Sequence, residues 1–306
     1  MLFRSMRRQV LSVDAYDVSG RQVAVLHELI KDNTGYDLSA LLVGSEGTLA
    51  VITRVLLHVV PKVPATAVVL IGLPDIASVG VLLSRVRREH ASLRAAELVA
   101  SETLGLVSAH LGQPRPVTSA WALLLQFAGA ASSIETIAES VARGLDDAGA
   151  SAAPVLVAED PNGMRELWAW RDRVTDSIAQ AGAASGSPVV KMDVSIPASG
   201  LARFAAGVVA DMEALGQRAF LFGHVGDGNL HVNLIGPPSE AEDIVLRRVA
   251  AAGGSISAEH GIGRAKAPWF ALARSETERE AMRAVKVAMD PQGRLGRAIW
   301  VSETPD

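Results

Sequence analysis

The stretch "RAFLFGHVGDGNLHVNLI", Arg218 to Ile235, decides how this chain is read. It opens on a short apolar run and closes on a segment that alternates apolar with polar residues, the period of a β-strand. Between them lies a glycine-rich link in which Asp227-Gly228 is a common turn pair. Strand, tight turn and returning strand follow from that pattern. His224 then falls just past the end of the first strand and His231 at the start of the second. Asn233 shares a face with His231, because side chains alternate with period two. The turn thus brings two imidazoles to one edge. A second polar string, "SISAEHGIG" from Ser255 to Gly263, supplies Glu259 and His260 from a separate loop. Two imidazoles and a carboxylate suit Zn²⁺, Mn²⁺ or Fe²⁺ and leave coordination positions open for a substrate. A hydrogen-bonded hairpin that happens to carry two histidines explains the same residues without a metal, and spacing alone does not choose between the two.

Around this hairpin the chain alternates strands and helices. The pattern predicts strands at 67–73, 93–99, 121–127, 155–158, 189–196, 219–223 and 229–235. Helices are predicted at 76–89, 132–148, 163–181, 200–215, 240–251 and 276–288. Such alternation fits a parallel sheet, or an α+β, ferredoxin-like arrangement with helices packed on an antiparallel sheet. Ahead of it, residues 9–32 alternate on both sides of Ser19-Gly20, which predicts a hairpin. "GSEGT" reads as a turn before a strand-like "LAVITRVLLHVV". Pro61 and Pro64 punctuate a domain boundary, with 1–63 on one side and 64–306 on the other.

Bulk properties narrow the function. With 306 residues, 49% apolar and 20% charged, the chain can bury a sizeable core. A net charge of −4 gives no basic face for nucleic acid, and Arg87 and Arg88 read as a solvated helix edge. There is no cysteine, so thiolate zinc sites and cysteine-held iron–sulfur clusters are excluded within this chain. No apolar run approaches the ~20 residues a membrane helix requires, and a cytoplasmic location is the default expectation.

"GHVGDGNLHVN" together with "SISAEHGIG" resembles the carboxy-terminal domain of FAD-linked 2-hydroxy acid dehydrogenases in the vanillyl-alcohol-oxidase-like superfamily. "NTGYDLSALLVGSEGTLAVIT", Asn33 to Thr53, is similar to the end of their FAD-binding domain. The two signatures stand in the family's order and span nearly the whole chain. The resemblance implies the C-terminal part of a two-domain α+β flavoprotein. Residues 1–63 would be part of the FAD-binding domain. Residues 64–306 would be a ferredoxin-like substrate domain with a large antiparallel sheet and a C-terminal helical segment. It further implies that His224, His231 and Glu259 hold a divalent metal, and that Arg171, Thr175, Lys191 and Asn233 contact a small hydroxy-acid substrate. His260 would accept the substrate proton. Tyr36, Gly44, Ser45, Glu46, Gly47 and Ile52 would lie at the FAD.

The implied activity is oxidation of a D-2-hydroxy acid, D-2-hydroxyglutarate or D-lactate, with electrons leaving to an external acceptor. Two departures from the family pattern stand out. No Gly-rich flavin pyrophosphate cradle precedes "NTGYDL", so a separate N-terminal FAD-binding half is expected and the chain alone is expected to hold FAD weakly. The tail "MDPQGRLGRAIW" keeps Asp290-Pro291 but lacks the string that usually follows. Two rivals stand beside this reading. One is a non-catalytic metal-binding fragment or subunit. The other is a metal-dependent hydrolase or oxygenase, against which the "GSEGT" segment argues.

Overall fold

The computed structural model describes residues 6–29, 31–129, 133–237 and 240–297. By contact the chain separates into two compact units, one built from Lys62–Ala258 and the other from Phe3–Pro61 with Glu259–Asp306.

The smaller unit begins with β1 (Val10–Tyr16) and β2 (Gln22–Ala24), the hairpin expected around Ser19-Gly20. The short α1 (Leu38–Leu42) is capped by Asp37, whose side chain accepts from the Ala40 amide. β3 (Val51–Leu57) pairs antiparallel with β1, giving the order β2-β1-β3. β3 is exposed along almost its whole length and carries Val51, Ile52, Val55 and Leu57 on that surface.

The larger unit is one seven-stranded sheet in the order β7-β4-β6-β5-β9-β10-β8, with every pairing antiparallel. Its elements run β4 (Ala65–Leu73), α2 (Ile76–Glu89), β5 (Leu93–Ala100), α3 (Ser101–Leu111), β6 (Trp121–Ala128), α4 (Ile134–Asp147), β7 (Val155–Ala158), α5 (Pro161–Asp172), α6 (Val174–Ser185), β8 (Val189–Ser195), α7 (Leu201–Ala214), β9 (Arg218–Gly223), β10 (Asn229–Ile235) and α8 (Ala241–Ala251). The order conceals a repeat. β4-α2-β5 and β6-α4-β7 interleave as a split βαβ unit, the ferredoxin-like arrangement. β8-α7-β9-β10-α8 lays down the same pattern. In place of a full fourth strand, a single bridge joins Ser195 to Ser255 at the outer edge of β8. The two repeats meet through the second strand of each, β5 against β9.

Local chemistry explains these elements. Asp75 caps α2 by accepting from the Ser78 amide, and Val79, Leu82, Leu83 and Val86 recur on one buried face. α2 and α7 pack against one another and carry α4 and α8 on one face of the sheet. On the opposite face α3, α5 and α6 close over Val68, Leu70, Val99, Leu124, Phe220 and Phe222.

Two expectations needed revision. α3 escaped the pattern because β5 runs into it without a break, and Ala100 has no capping side chain. The helix expected at 163–181 is two helices that divide at Arg173 (φ −81°, ψ −3°). The first starts earlier than expected because Asp160 caps it ahead of Pro161.

After Ala258 the chain supplies the rest of the smaller unit: α9 (Phe270–Ala273) and α10 (Glu276–Met289). A Ser275/Glu278 capping box starts α10. Val285 and Met289 pack on the core of Val13, Ala15, Leu42 and Leu49. Lys286 Nζ donates to the Thr48 carbonyl at 2.8 Å and to Asp290 Oδ2 at 2.6 Å, fastening the helix end to the turn before β3.

Candidate functional site

The Arg218–Ile235 hairpin forms as its pattern requires, with β9 and β10 in register from His231↔Phe222 to Ile235↔Arg218. The turn closes through the Asp227 amide, which donates to the His224 carbonyl at 3.1 Å, and Gly226 donates to Ala96 on β5 at 3.4 Å. Gly228 is obligatory there. Its φ is +79°, and a Cβ would sit 2.5 Å from the Ile196 carbonyl oxygen.

Register now places the histidines. His231 lies opposite Asp193 on β8 and opposite Phe222 on β9, so the three side chains share one face. On the seam between the two repeats Leu98 pairs with Gly223 and Val99 with Phe222. One further step along that register sets Glu97 against His224. The two imidazoles are 5.4 Å apart between ring centroids, at 81° to one another.

Each imidazole turns Nδ1 toward a carboxylate. His224 Nδ1 is 2.8 Å from Glu97 Oε1, and His231 Nδ1 is 3.6 Å from Asp193 Oδ1. Arg171 Nε, reaching down from the end of α5, donates to Glu97 Oε2 at 2.8 Å, and its guanidinium lies 4.8 Å above the Phe222 ring. Asn229 Nδ2 donates to Asp193 Oδ1 at 3.0 Å, while its own Oδ1 is buried without a hydrogen-bond partner.

Electrostatics follow from burial. Glu97 is only 3% exposed. Burial pushes its carboxyl up, but the hydrogen bond from His224 and the Arg171 charge outweigh it and hold the group below the usual carboxylate range. Burial lowers His231 to about 4, against the pull of Asp193 and aided by the His224 and Arg171 charges. That ring is therefore neutral near pH 7. With Nδ1 facing a carboxylate, each ring turns Nε2 the other way, the disposition seen where histidines ligate metals.

The remaining expected site residues are placed as follows. Asn233 is buried on β10, opposite Lys191, which is exposed on β8. Thr175 is exposed on the first turn of α6, not on the helix that carries Arg171. Glu259 and His260 belong to the smaller unit and open its returning segment, just past Ala258, whose amide donates to the Asp193 carbonyl at 3.2 Å.

Tyr36 is 96% exposed, Ile52 is exposed on β3, and Gly44, Ser45 and Gly47 line the "GSEGT" turn. Glu46 adopts φ +55°, alone among the described non-glycine residues in having a positive φ. Its carboxylate accepts from the amides of Ile262 at 2.9 Å and Gly263 at 2.8 Å, and so ties the turn to the "HGIG" loop. A Cβ at Gly261 would come 2.5 Å from Glu46 Oε1, which explains the glycine beside that contact.

Sequence reasoning missed Glu97 altogether. Its signal was a lone carboxylate inside the apolar strand "LRAAELVA", a charge that a buried strand tolerates only when paired. Register gives Asp193 to His231, its opposite across β10 and β8.

The fold is shared with solved structures. A p-cresol methylhydroxylase structure solved with substrate bound superimposes with a TM-score of 0.64 at 12% identity, covering 93% of this chain and 63% of that one. Residues 62–298 match the family model described as FAD linked oxidases, C-terminal domain, and the chain belongs to that family. Mitochondrial D-2-hydroxyglutarate dehydrogenase of Bos taurus is 33% identical over 96% of the chain and 54% of the relative. Its counterpart in Arabidopsis thaliana is 30% identical over 96% of the chain and 53% of the relative. The chain thus spans about half the length of these curated relatives. Among the described residues no helix is long and apolar enough to cross a membrane.

Proposed function

We propose that this chain is the substrate- and metal-binding part of an FAD-dependent enzyme that oxidises a D-2-hydroxy acid, D-2-hydroxyglutarate or D-lactate, to the 2-oxo acid. One observation carries the reading: two imidazoles backed by carboxylates, beside Arg171, in a member of the FAD-linked oxidase C-terminal family. The names of the relatives point to D-2-hydroxyglutarate as the first substrate to try.

In this reading His224, His231 and Glu259 hold a divalent cation, Zn²⁺, Mn²⁺ or Fe²⁺. The chemistry of the donors fits: the His231 ring is neutral, His224 is oriented by Glu97, and a buried Asn229 oxygen nearby has no hydrogen-bond partner. A bound cation would supply Lewis-acid polarisation of the substrate hydroxyl, and a bound FAD would supply a hydride acceptor. The residues of the chain do the rest. Arg171 offers a planar donor pair to the substrate carboxylate, with Thr175 and Lys191 as further contacts. Asn233 orients the substrate from β10. His260 takes the hydroxyl proton, a task suited to an imidazole at neutral pH. Residues 1–63 contribute to the FAD-binding domain through Tyr36, Gly44, Ser45, Glu46, Gly47 and Ile52. Electrons would then pass to an external acceptor.

The test is dye reduction by the chain loaded with FAD and a divalent metal, with calorimetry of hydroxy-acid binding alongside. Turnover with the D-isomer should disappear in His224→Ala, and in His260→Asn it should collapse while bound metal persists. Dye reduction indifferent to both changes, or a metal-loaded chain that binds no D-2-hydroxy acid, would refute the proposal.

A further inference from the structure

We infer that Glu97 is a positioning residue serving two masters at once: it fixes the proton of His224 on Nδ1 and the guanidinium of Arg171. The inference rests on the proposed roles of His224 in metal binding and Arg171 in substrate binding, and extends them to a residue that neither reading included.

The geometry is specific. Glu97 is buried in the middle of β5 and spends one oxygen on each partner, at 2.8 Å in both cases. The partners arrive from different elements, the end of β9 and the end of α5. Only the junction of the two sheet repeats brings them to one carboxylate, through the Leu98↔Gly223 register.

A carboxylate can only accept and a guanidinium can only donate. A neutral His224 ring must therefore carry its proton on Nδ1, and Nε2 is then its lone-pair nitrogen. Arg171, bonded through Nε and laid over Phe222, keeps its terminal amino groups for an oxyanion. The orientation of one site component is thereby tied to that of the other.

This arrangement makes an unusual prediction for Glu97→Gln. The glutamine oxygen must face Arg171, which has nothing but donors. Its NH₂ then faces His224, and Nδ1 must become an acceptor. The ring proton moves to Nε2 and the lone pair for a cation is lost. Removing the arginine as well, in Glu97→Gln with Arg171→Met, frees the amide to turn round, and the Nδ1–H form returns.

Ring nitrogen shifts from ¹⁵N NMR of the metal-free chain read the tautomer directly. The expected series for His224 is Nδ1–H in the native chain, Nε2–H in Glu97→Gln, and Nδ1–H again in the double variant. Zn²⁺ titration should follow the same order, about 10- to 100-fold weaker in Glu97→Gln and recovered in the double variant. Should Glu97→Gln fail to fold, Glu97→Leu with Arg171→Met removes the ion pair as a whole and takes the Glu97 acceptor away from His224 Nδ1. That protein should populate Nε2–H and lose Zn²⁺ affinity by a similar factor.

A His224 ring whose tautomer ignores these substitutions, or is Nε2–H in the native chain, overturns the inference. Since the NMR series uses no metal, a native chain that shows the expected tautomers yet binds no Zn²⁺ would support Glu97 and sink the metal reading instead.

Discussion

Two buttresses in this molecule use a carboxylate in opposite ways. In the larger unit Glu97 and Asp193 stand on regular strands and hold side chains: His224 and Arg171 on one, Asn229 on the other, with the His231 ring facing Asp193 at 3.6 Å. In the smaller unit Glu46 stands on a left-handed turn residue and holds backbone, the amides of Ile262 and Gly263. The first arrangement costs burial of charge and is sustained by pairing. The second costs backbone strain, roughly 1 kcal/mol for a non-glycine residue, and is sustained by two charge-assisted bonds. The difference teaches where precision comes from. Strand register sets the direction of a ring, whereas a strained turn sets the path of a loop.

Breaking the first buttress should have the larger effect. Glu97→Leu alone leaves the half-buried Arg171 without its Glu97 partner and should cost about 3 kcal/mol in chemical denaturation. With Arg171→Met added, most of that loss should return. A single variant no less stable than the native chain would show that the pair contributes nothing to folding.

Smaller effects sharpen the contrast in the other unit. Lys286→Met removes the bonds to Thr48 and Asp290 and should lower stability by about 1–3 kcal/mol. Glu46→Ala should cost about 1–2 kcal/mol, because it loses both loop bonds and keeps the strain. Glu46→Gly loses the same bonds but relieves the strain, and should be the more stable of the two by about 1 kcal/mol. Hydrogen exchange at Ile262 and Gly263 should quicken equally in both. If the glycine variant is the weaker, the positive φ of Glu46 carries no strain and the contrast with Glu97 fails.

Much of the fold could be read before the structure. The hairpin at Arg218–Ile235 and the strands on either side of it were legible because alternation and glycine punctuation are local signals. The order of strands was not, because nothing local says that β5 and β9 meet. That junction created what the sequence hid: Glu97 and His224 lie 127 positions apart and become neighbours only through register. α3 was hidden by the absence of any cap or breaker after β5, and the division at Arg173 by a helical period that continues across it. The return of α10 to the smaller unit was equally silent, since Val285 and Met289 look like any amphipathic face until the core of Val13 and Leu42 is in place. At the candidate site, family signatures supplied His224, His231 and Glu259 by type, and only the structure revealed which carboxylates face the two rings.

X-ray absorption at the zinc edge, on the chain loaded with one equivalent of Zn²⁺, tests the central claim most directly. Two imidazole nitrogens should appear at about 2.0–2.1 Å, and their multiple-scattering signature should vanish with the bound zinc in a His224→Ala, His231→Ala double variant. Zinc held at unchanged stoichiometry by that variant, or a native spectrum without imidazole, would contradict the account.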